Sequence, residues 1–252
     1  MKHFALLLIT CIIYTIVMAQ PDYYAAAKNG LSIREQPNVN AKVLDKIPYG
    51  QKFQLLKDTG EMKSISVEGF TGYWWQVKFN DKTGYVVSPY VLQTPPPGSG
   101  IKKLENYFAQ ISSLNGNAIV ISEPLPAGEE GGSQLKKQLY KNGMEWHQTQ
   151  GHEYDAALYV LPGYTIEQAF LLLRLIGQYP DLIGSQDVFP GKNSKSKIGM
   201  AERSIEIERE KYDDGKQGPI KKIKIINTAG VITEFEIFSI GTQVFVSYSS
   251  GV

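Results

Sequence analysis

Residues 31–56 read LSIREQPNVNAKVLDKIPYGQKFQLL, and two later stretches, WWQVKF (74–79) and DKTGYVVSPYV (81–91), repeat the same pattern. Apolar and polar residues alternate in each stretch, and Pro, Gly and Asn interrupt the alternation at short intervals. A period of two predicts β-strands, while Pro and Gly favour the turns between them. About five short strands within one small region predict a small all-β barrel, because closing a sheet removes its exposed edges.

Residues 23–93 resemble the bacterial SH3 (SH3b) domain. Four elements of that family stand here in order, namely Leu31/Ile33/Arg34/Pro37, Gly50, Trp74/Trp75/Val77 and Gly84/Tyr85/Val86. The stretch from Gly60 to Gly72 departs from the family pattern. The resemblance implies an SH3-like barrel and a binding module, rather than a catalytic domain.

The strand WWQVKF separates its aromatic residues by face. Alternation places Trp75, Val77 and Phe79 on the core face and Trp74 on the opposite face. The resemblance implies that Trp74 and Tyr90 line a ligand groove, where an aromatic ring stacks on a sugar or a proline. The alternative is that Trp74 packs against the second domain or the linker.

The N-terminus has the layout of a secretory signal peptide, residues 1–19. Lys2 and His3 precede an apolar run, and cleavage is expected after Ala19. A retained membrane anchor and a lipoprotein signal at Cys11 are the two alternatives. Cys11 is the one cysteine in the sequence, so the mature chain is expected to contain neither a disulfide nor a cysteine nucleophile. The predicted location is outside the cytoplasm, in the periplasm or secreted.

Residues 94–100, TPPPGSG, predict a linker. The prolines keep the backbone extended, and the Gly-Ser-Gly end loosens it. The sequence therefore predicts a second domain over residues 101–252.

The second domain is predicted to be α+β, with helices packed on an antiparallel sheet. Helical spacing and helix end signals predict helices over 101–116, 133–143 and 165–178. From residue 204 onward the period changes to two, which predicts amphipathic strands with one face open to water. No family resemblance is apparent in this half.

No complete catalytic or metal-binding set is visible, so neither a cofactor nor a metal is predicted. His147, His152 and Glu153 are the nearest approach to a zinc site, but the two histidines are five residues apart and Gly151 interrupts any helix. A polar loop is the simpler interpretation of this segment. The net charge of +1 gives no reason to expect nucleic acid as a partner.

The sequence supports two classes of function. The favoured class is an exported, non-catalytic adaptor of the cell envelope, whose barrel docks to cell-wall peptidoglycan or to an envelope protein. The alternative is a cell-wall hydrolase of unrecognised type, with its catalytic residues in the second domain. The missing catalytic set favours the non-enzyme.

Overall fold

The computed structural model describes residues 22–58, 64–124, 132–151, 153–198, 201–213 and 215–251. The predicted signal peptide, with Cys11, lies outside the described residues. The strands form two sheets in which every neighbouring pair is antiparallel. The first sheet belongs to the barrel, and the second belongs to the part of the chain that follows.

The first sheet has eight strands in the order β3-β2-β7-β6-β4-β1-β8, with β5 paired to β6. The strands are β1 (Tyr23–Ala25), β2 (Leu31–Arg34), β3 (Val43–Ile47), β4 (Lys52–Asp58), β5 (Ser64–Val67), β6 (Phe70–Phe79), β7 (Lys82–Val87) and β8 (Val91–Leu92). A single core cluster takes buried residues from seven of them, so the sheet curls around one interior.

The second sheet has nine strands in the order β13-β14-β15-β16-β17-β12-β11-β10-β9. Its elements are α1 (Leu104–Ile111), β9 (Ile119–Pro124), β10 (Gly132–Leu139), β11 (Glu145–Gln150), β12 (Tyr154–Pro162), α2 (Ile166–Ile176), β13 (Ser194–Ile198), β14 (Ala201–Lys211), β15 (Gln217–Ala229), β16 (Val231–Ile240) and β17 (Gln243–Gly251).

The predicted α+β class of the second domain is wrong. Strands make up 55% of the structure, and the described residues contain only two short α-helices. Residues 133–143, predicted as a helix, form β10 and the turn after it, because their backbone pairs with β9 and β11. Gly143 (φ 83) serves that hairpin turn, where the sequence suggested a helix end. The second domain is a β-sheet domain.

Helix α2 is the longer and more apolar of the two helices in the described residues, and its ends match the sequence. Thr165 and Gln168 form a capping box, and Gly177 ends the helix in the left-handed conformation (φ 68). The helix packs against β15, β16 and β17 on one face of the second sheet. No helix in the described residues is both long and apolar enough to span a membrane.

The barrel and the second domain share a hydrophobic core. Phe70 of β6 is fully buried, with its ring centroid 6.0 Å from that of Phe170 on α2 and 5.0 Å from that of Phe189. Residues 94–100 run between the two sheets and contact both sides. Tyr49 of the barrel donates a hydrogen bond to the Pro97 carbonyl (2.8 Å), and Gln110 of α1 donates one to that of Pro96 (3.2 Å).

Candidate functional site

A cleft of about 540 Å³ lies between the barrel and the second domain. The barrel lines it with the segment between β1 and β2, with β2 itself and with residues of β5, β6 and β7. The second domain contributes residues of α2 together with Ser185 and Gln186. The volume falls within the range of small-molecule binding sites, roughly 300–1,000 Å³. We name it the interdomain cleft.

The interdomain cleft contains both sequence-predicted ligand residues, Trp74 and Tyr90. Strand β6 places Val77 in the barrel core, with Trp75 and Phe79 packed against it, so Trp74 lies on the other face. Trp74 is only 4% exposed, although the sequence led us to expect an open ring. Trp74 is therefore a well-packed residue of the cleft wall, and a role in ligand binding stays a prediction.

Tyr90 belongs to a polar network that joins the two domains. Its hydroxyl hydrogen-bonds to the carboxylate of Glu68, and Arg174 Nη1 lies 2.7 Å from Glu68 Oε2. The Tyr90 hydrogen bond and the Arg174 guanidinium hold the pKa of Glu68 below its usual value, against a smaller effect of burial. Burial and the hydrogen bond to Glu68 raise the pKa of Tyr90. At neutral pH this network is therefore an ion pair with a protonated tyrosine.

Arg174 is held firmly at the back of the cleft. Its side chain is 9% exposed, and its guanidinium lies 5.1 Å from the ring centroid of Phe70 and 6.0 Å from that of Tyr90. Nη1 also donates a hydrogen bond to the Asp187 carbonyl (3.0 Å). A buried guanidinium needs partners of this kind, because an uncompensated buried charge is costly.

The tight turn between β5 and β6 places Glu68 beside Arg174. Glu68 (φ 49) and Gly69 (φ 81) both have positive φ, as two-residue hairpin turns of type I′ require. A Cβ on Gly69 would overlap the Phe189 carbonyl oxygen, and the Glu68 carbonyl accepts a hydrogen bond from Phe189 N (2.9 Å). Glycine is needed here both for its conformation and for the close approach.

Sequence reasoning did not identify Glu68 or Arg174 as site residues. Arg174 is the one charged residue within the apolar run of α2, and this isolated charge is the sequence feature that could have marked it as a site residue. Glu68 falls in the stretch that departs from the family pattern, so no motif marked it.

The other polar clusters of the sequence lie elsewhere. His147 is on β11, where a loop was expected, and its Nε2 lies 2.9 Å from Glu145 Oε2; His152 lies outside the described residues. Lys222 and Lys224 extend over the outer sheet face and pair with Glu236 (2.6 Å) and Glu234 (2.9 Å). Within the part of the chain that the structure describes, no three His, Cys, Asp or Glu side chains group as metal ligands would.

The fold and the cleft define a two-domain β protein with a potential binding site between an SH3-like barrel and a larger sheet. Residues 29–91 match the family model described as "Bacterial SH3 domain". The barrel is therefore a bacterial SH3 domain, as the sequence motifs predicted, and the match ends before the second domain. No curated protein matches the chain.

Proposed function

We propose that the chain is an exported, non-catalytic binding protein of the bacterial cell envelope, with the interdomain cleft as its binding site. Bacterial SH3 domains are typically binding modules, and the family match supports a cell-wall binding role. The observation that carries the proposal is the position of Trp74 and Tyr90 in one cleft. Peptidoglycan is the preferred partner, and an envelope protein is the second choice. Export rests on the signal-type N-terminus.

The chemistry of the cleft favours binding over hydrolysis. Its one carboxylate among the described residues, Glu68, is held ionised by Tyr90 and Arg174. A general acid needs a raised pKa, and a pair of carboxylates is the usual requirement for cleaving a glycosidic bond. The partly or fully exposed side chains of Val39, Ile65 and Val67 instead provide a surface on which a ligand can pack.

Co-sedimentation with purified peptidoglycan tests the proposal. Ser185 is exposed at the second-domain side of the cleft, so Ser185→Trp should block the cleft and abolish sedimentation. Lys192→Trp adds the same ring at an exposed position that does not line the cleft, and it should sediment like the wild type. A zymogram on the same peptidoglycan should show no clearing. Absence of wild-type sedimentation contradicts wall binding, and clearing contradicts the non-catalytic role.

A further inference from the structure

The second sheet ends in two edge strands of opposite character. Among the described residues, β13 pairs with β14 alone and β9 pairs with β10 alone. Edge strands commonly carry lysines, which hinder the pairing of one sheet with another, and on β13 both Lys195 and Lys197 are exposed. Residues 119–122 of β9, IVIS, contain no charge and no proline. The β9 edge therefore lacks the usual protection against a further strand.

Three consecutive apolar residues of β9 are exposed to solvent. The exposed fractions are 49% for Ile119, 53% for Val120 and 49% for Ile121. Because side chains alternate along a strand, Ile119 and Ile121 lie on one face of the sheet and Val120 lies on the other. Branched side chains of this kind stabilise a sheet through their cross-strand neighbours. Strand β10 supplies such neighbours on one side, with Leu135 opposite Ile121, and within the described residues no strand supplies them on the other side.

A second copy of the same strand is complementary to this edge. When two β9 strands run antiparallel about a two-fold axis at Val120, the two copies of Val120 stand opposite each other, and Ile119 of each copy stands opposite Ile121 of the other. All three exposed apolar residues thereby gain an apolar cross-strand neighbour. Pairing of β9 with the β13 edge of another copy instead places lysines beside the isoleucines, and it repeats from copy to copy without closing.

We propose that β9 is a dimerisation strand, through which two copies of the chain join their second sheets into one continuous antiparallel sheet. The two-fold arrangement covers both β9 edges at once, so the assembly stops at two copies. The contact lies in the second domain, and no residue of β9 lines the interdomain cleft. Dimerisation is therefore separate from the binding function proposed for that cleft.

Sedimentation velocity of the mature chain over a dilution series tests the dimer. The wild type should sediment as a dimer, and Ile121→Lys should weaken dimerisation roughly tenfold or more, because each copy brings a charge into an apolar contact. Ile232→Lys is the control, since Ile232 is 55% exposed on β16, which is paired on both sides. It should sediment like the wild type. A wild type that stays monomeric, species larger than a dimer, or equal effects of the two substitutions overturn the proposal.

Single cysteines test the register of the two strands. Cys11 is the one cysteine in the sequence and lies in the predicted signal peptide, so an introduced cysteine has no competitor in the mature chain. The two-fold axis places both copies of residue 120 directly opposite each other, at a separation that a disulfide can bridge. The two copies of residue 122 are four positions apart along the strands, roughly 14 Å. Mild oxidation should therefore crosslink Val120→Cys into a dimer and leave Ser122→Cys uncrosslinked. Equal crosslinking of the two variants, crosslinking of Ser122→Cys alone, or crosslinking of neither overturns the proposal.

Discussion

Trp74 and Trp75 are neighbours in the chain, but β6 directs them to different surroundings. Trp75 packs on the barrel core, with its ring centroid 5.2 Å from that of Tyr23, and its buried Nε1 has no hydrogen-bond partner. Trp74 is 4% exposed and lines the interdomain cleft. Both rings are packed, and Trp74 is the one of the two that lines the interdomain cleft.

Matched substitutions should separate these roles. Trp74→Phe and Trp75→Phe each remove packing, so both should lower the melting temperature, at a cost of about 1–2 kcal/mol. Trp75→Phe forfeits no hydrogen bond, because the Nε1 has no partner. Only Trp74→Phe should also weaken sedimentation with peptidoglycan. Equal loss of binding in the two variants would contradict the role of Trp74.

The Glu68 ion pair should make stability depend on pH in the acid range. The pKa of Glu68 is lowered in the folded protein by Tyr90 and Arg174, so the folded state favours the ionised carboxylate more than the unfolded state does. The stabilisation is present above the unfolded pKa and is lost as pH falls through the lowered folded pKa. Because the Glu68 side chain is 53% exposed, solvent screening limits it to less than about 1 kcal/mol.

Melting curves of the wild type and Glu68→Gln between neutral and strongly acidic pH measure this effect. The wild type should melt at the higher temperature at neutral pH, and the difference should shrink as the carboxylate of Glu68 is protonated. A difference that does not change with pH would contradict the ionic origin of the contact.

At the scale of elements, the turn between β5 and β6 is the point at which the barrel reaches the second domain. Gly69 (φ 81) lies in this turn, and Gly230 (φ 83) lies in the turn between β15 and β16. The two glycines have the same positive-φ backbone conformation. A Cβ on Gly69 meets the Phe189 backbone, whereas one on Gly230 meets nothing within 4 Å. A comparison of alanine substitutions at the two glycines therefore separates the cost of backbone strain from the cost of crowding the Phe189 backbone.

Gly230→Ala should cost about 1 kcal/mol, the usual penalty of placing alanine at positive φ. Gly69→Ala should cost clearly more, because it must also move the hairpin away from Phe189 and lengthen the Glu68–Arg174 contact. Chemical denaturation of both variants measures the difference. Equal free energies of unfolding would mean that the hairpin moves without cost.

The elements also show which features local sequence could predict. Helix α2 was predictable, because Thr165 and Gln168 fix its start, Gly177 fixes its end, and the run between them is too apolar for a surface strand. The segment that forms β10 was not, because Leu135 and Leu139 are four residues apart and share a face in either a helix or a strand. Its pairing with β9 and β11 makes this segment a strand rather than a helix, and those partners lie outside the local segment.

The residues of the candidate site likewise fall into those that local sequence could predict and those that it could not. Alternation along β6 and the family motifs were enough to select Trp74 and Tyr90. The Glu68–Arg174 pair was not accessible, since 106 residues separate its two members and only the fold brings them together. Sequence thus selected two aromatic residues of the barrel that line the cleft, but neither member of the ion pair that joins the barrel to the second domain.

At the scale of the whole molecule, a Pro/Gly linker by itself favours domains that unfold independently. The contacts favour the opposite outcome. Pro96 and Pro97 of the linker are buried, and the ring of Phe70 lies within the core cluster that α2 and the second sheet build. A shared core couples the stability of the two domains, since unfolding either one exposes apolar surface of the other.

We therefore expect the mature chain to unfold in a single calorimetric transition, and Phe70→Ala to divide it into two. The substitution removes a fully buried ring that contacts Tyr90, Phe170 and Phe189, and a phenylalanine-to-alanine change in a core costs about 3–5 kcal/mol. Phe53→Ala is the control, because Phe53 is also buried but belongs to the barrel's own cluster. It should lower the transition temperature and leave one transition, because the interdomain contacts survive. Two transitions in the wild type, or the same profile for both variants, would show that the contact at Phe70 does not couple the domains.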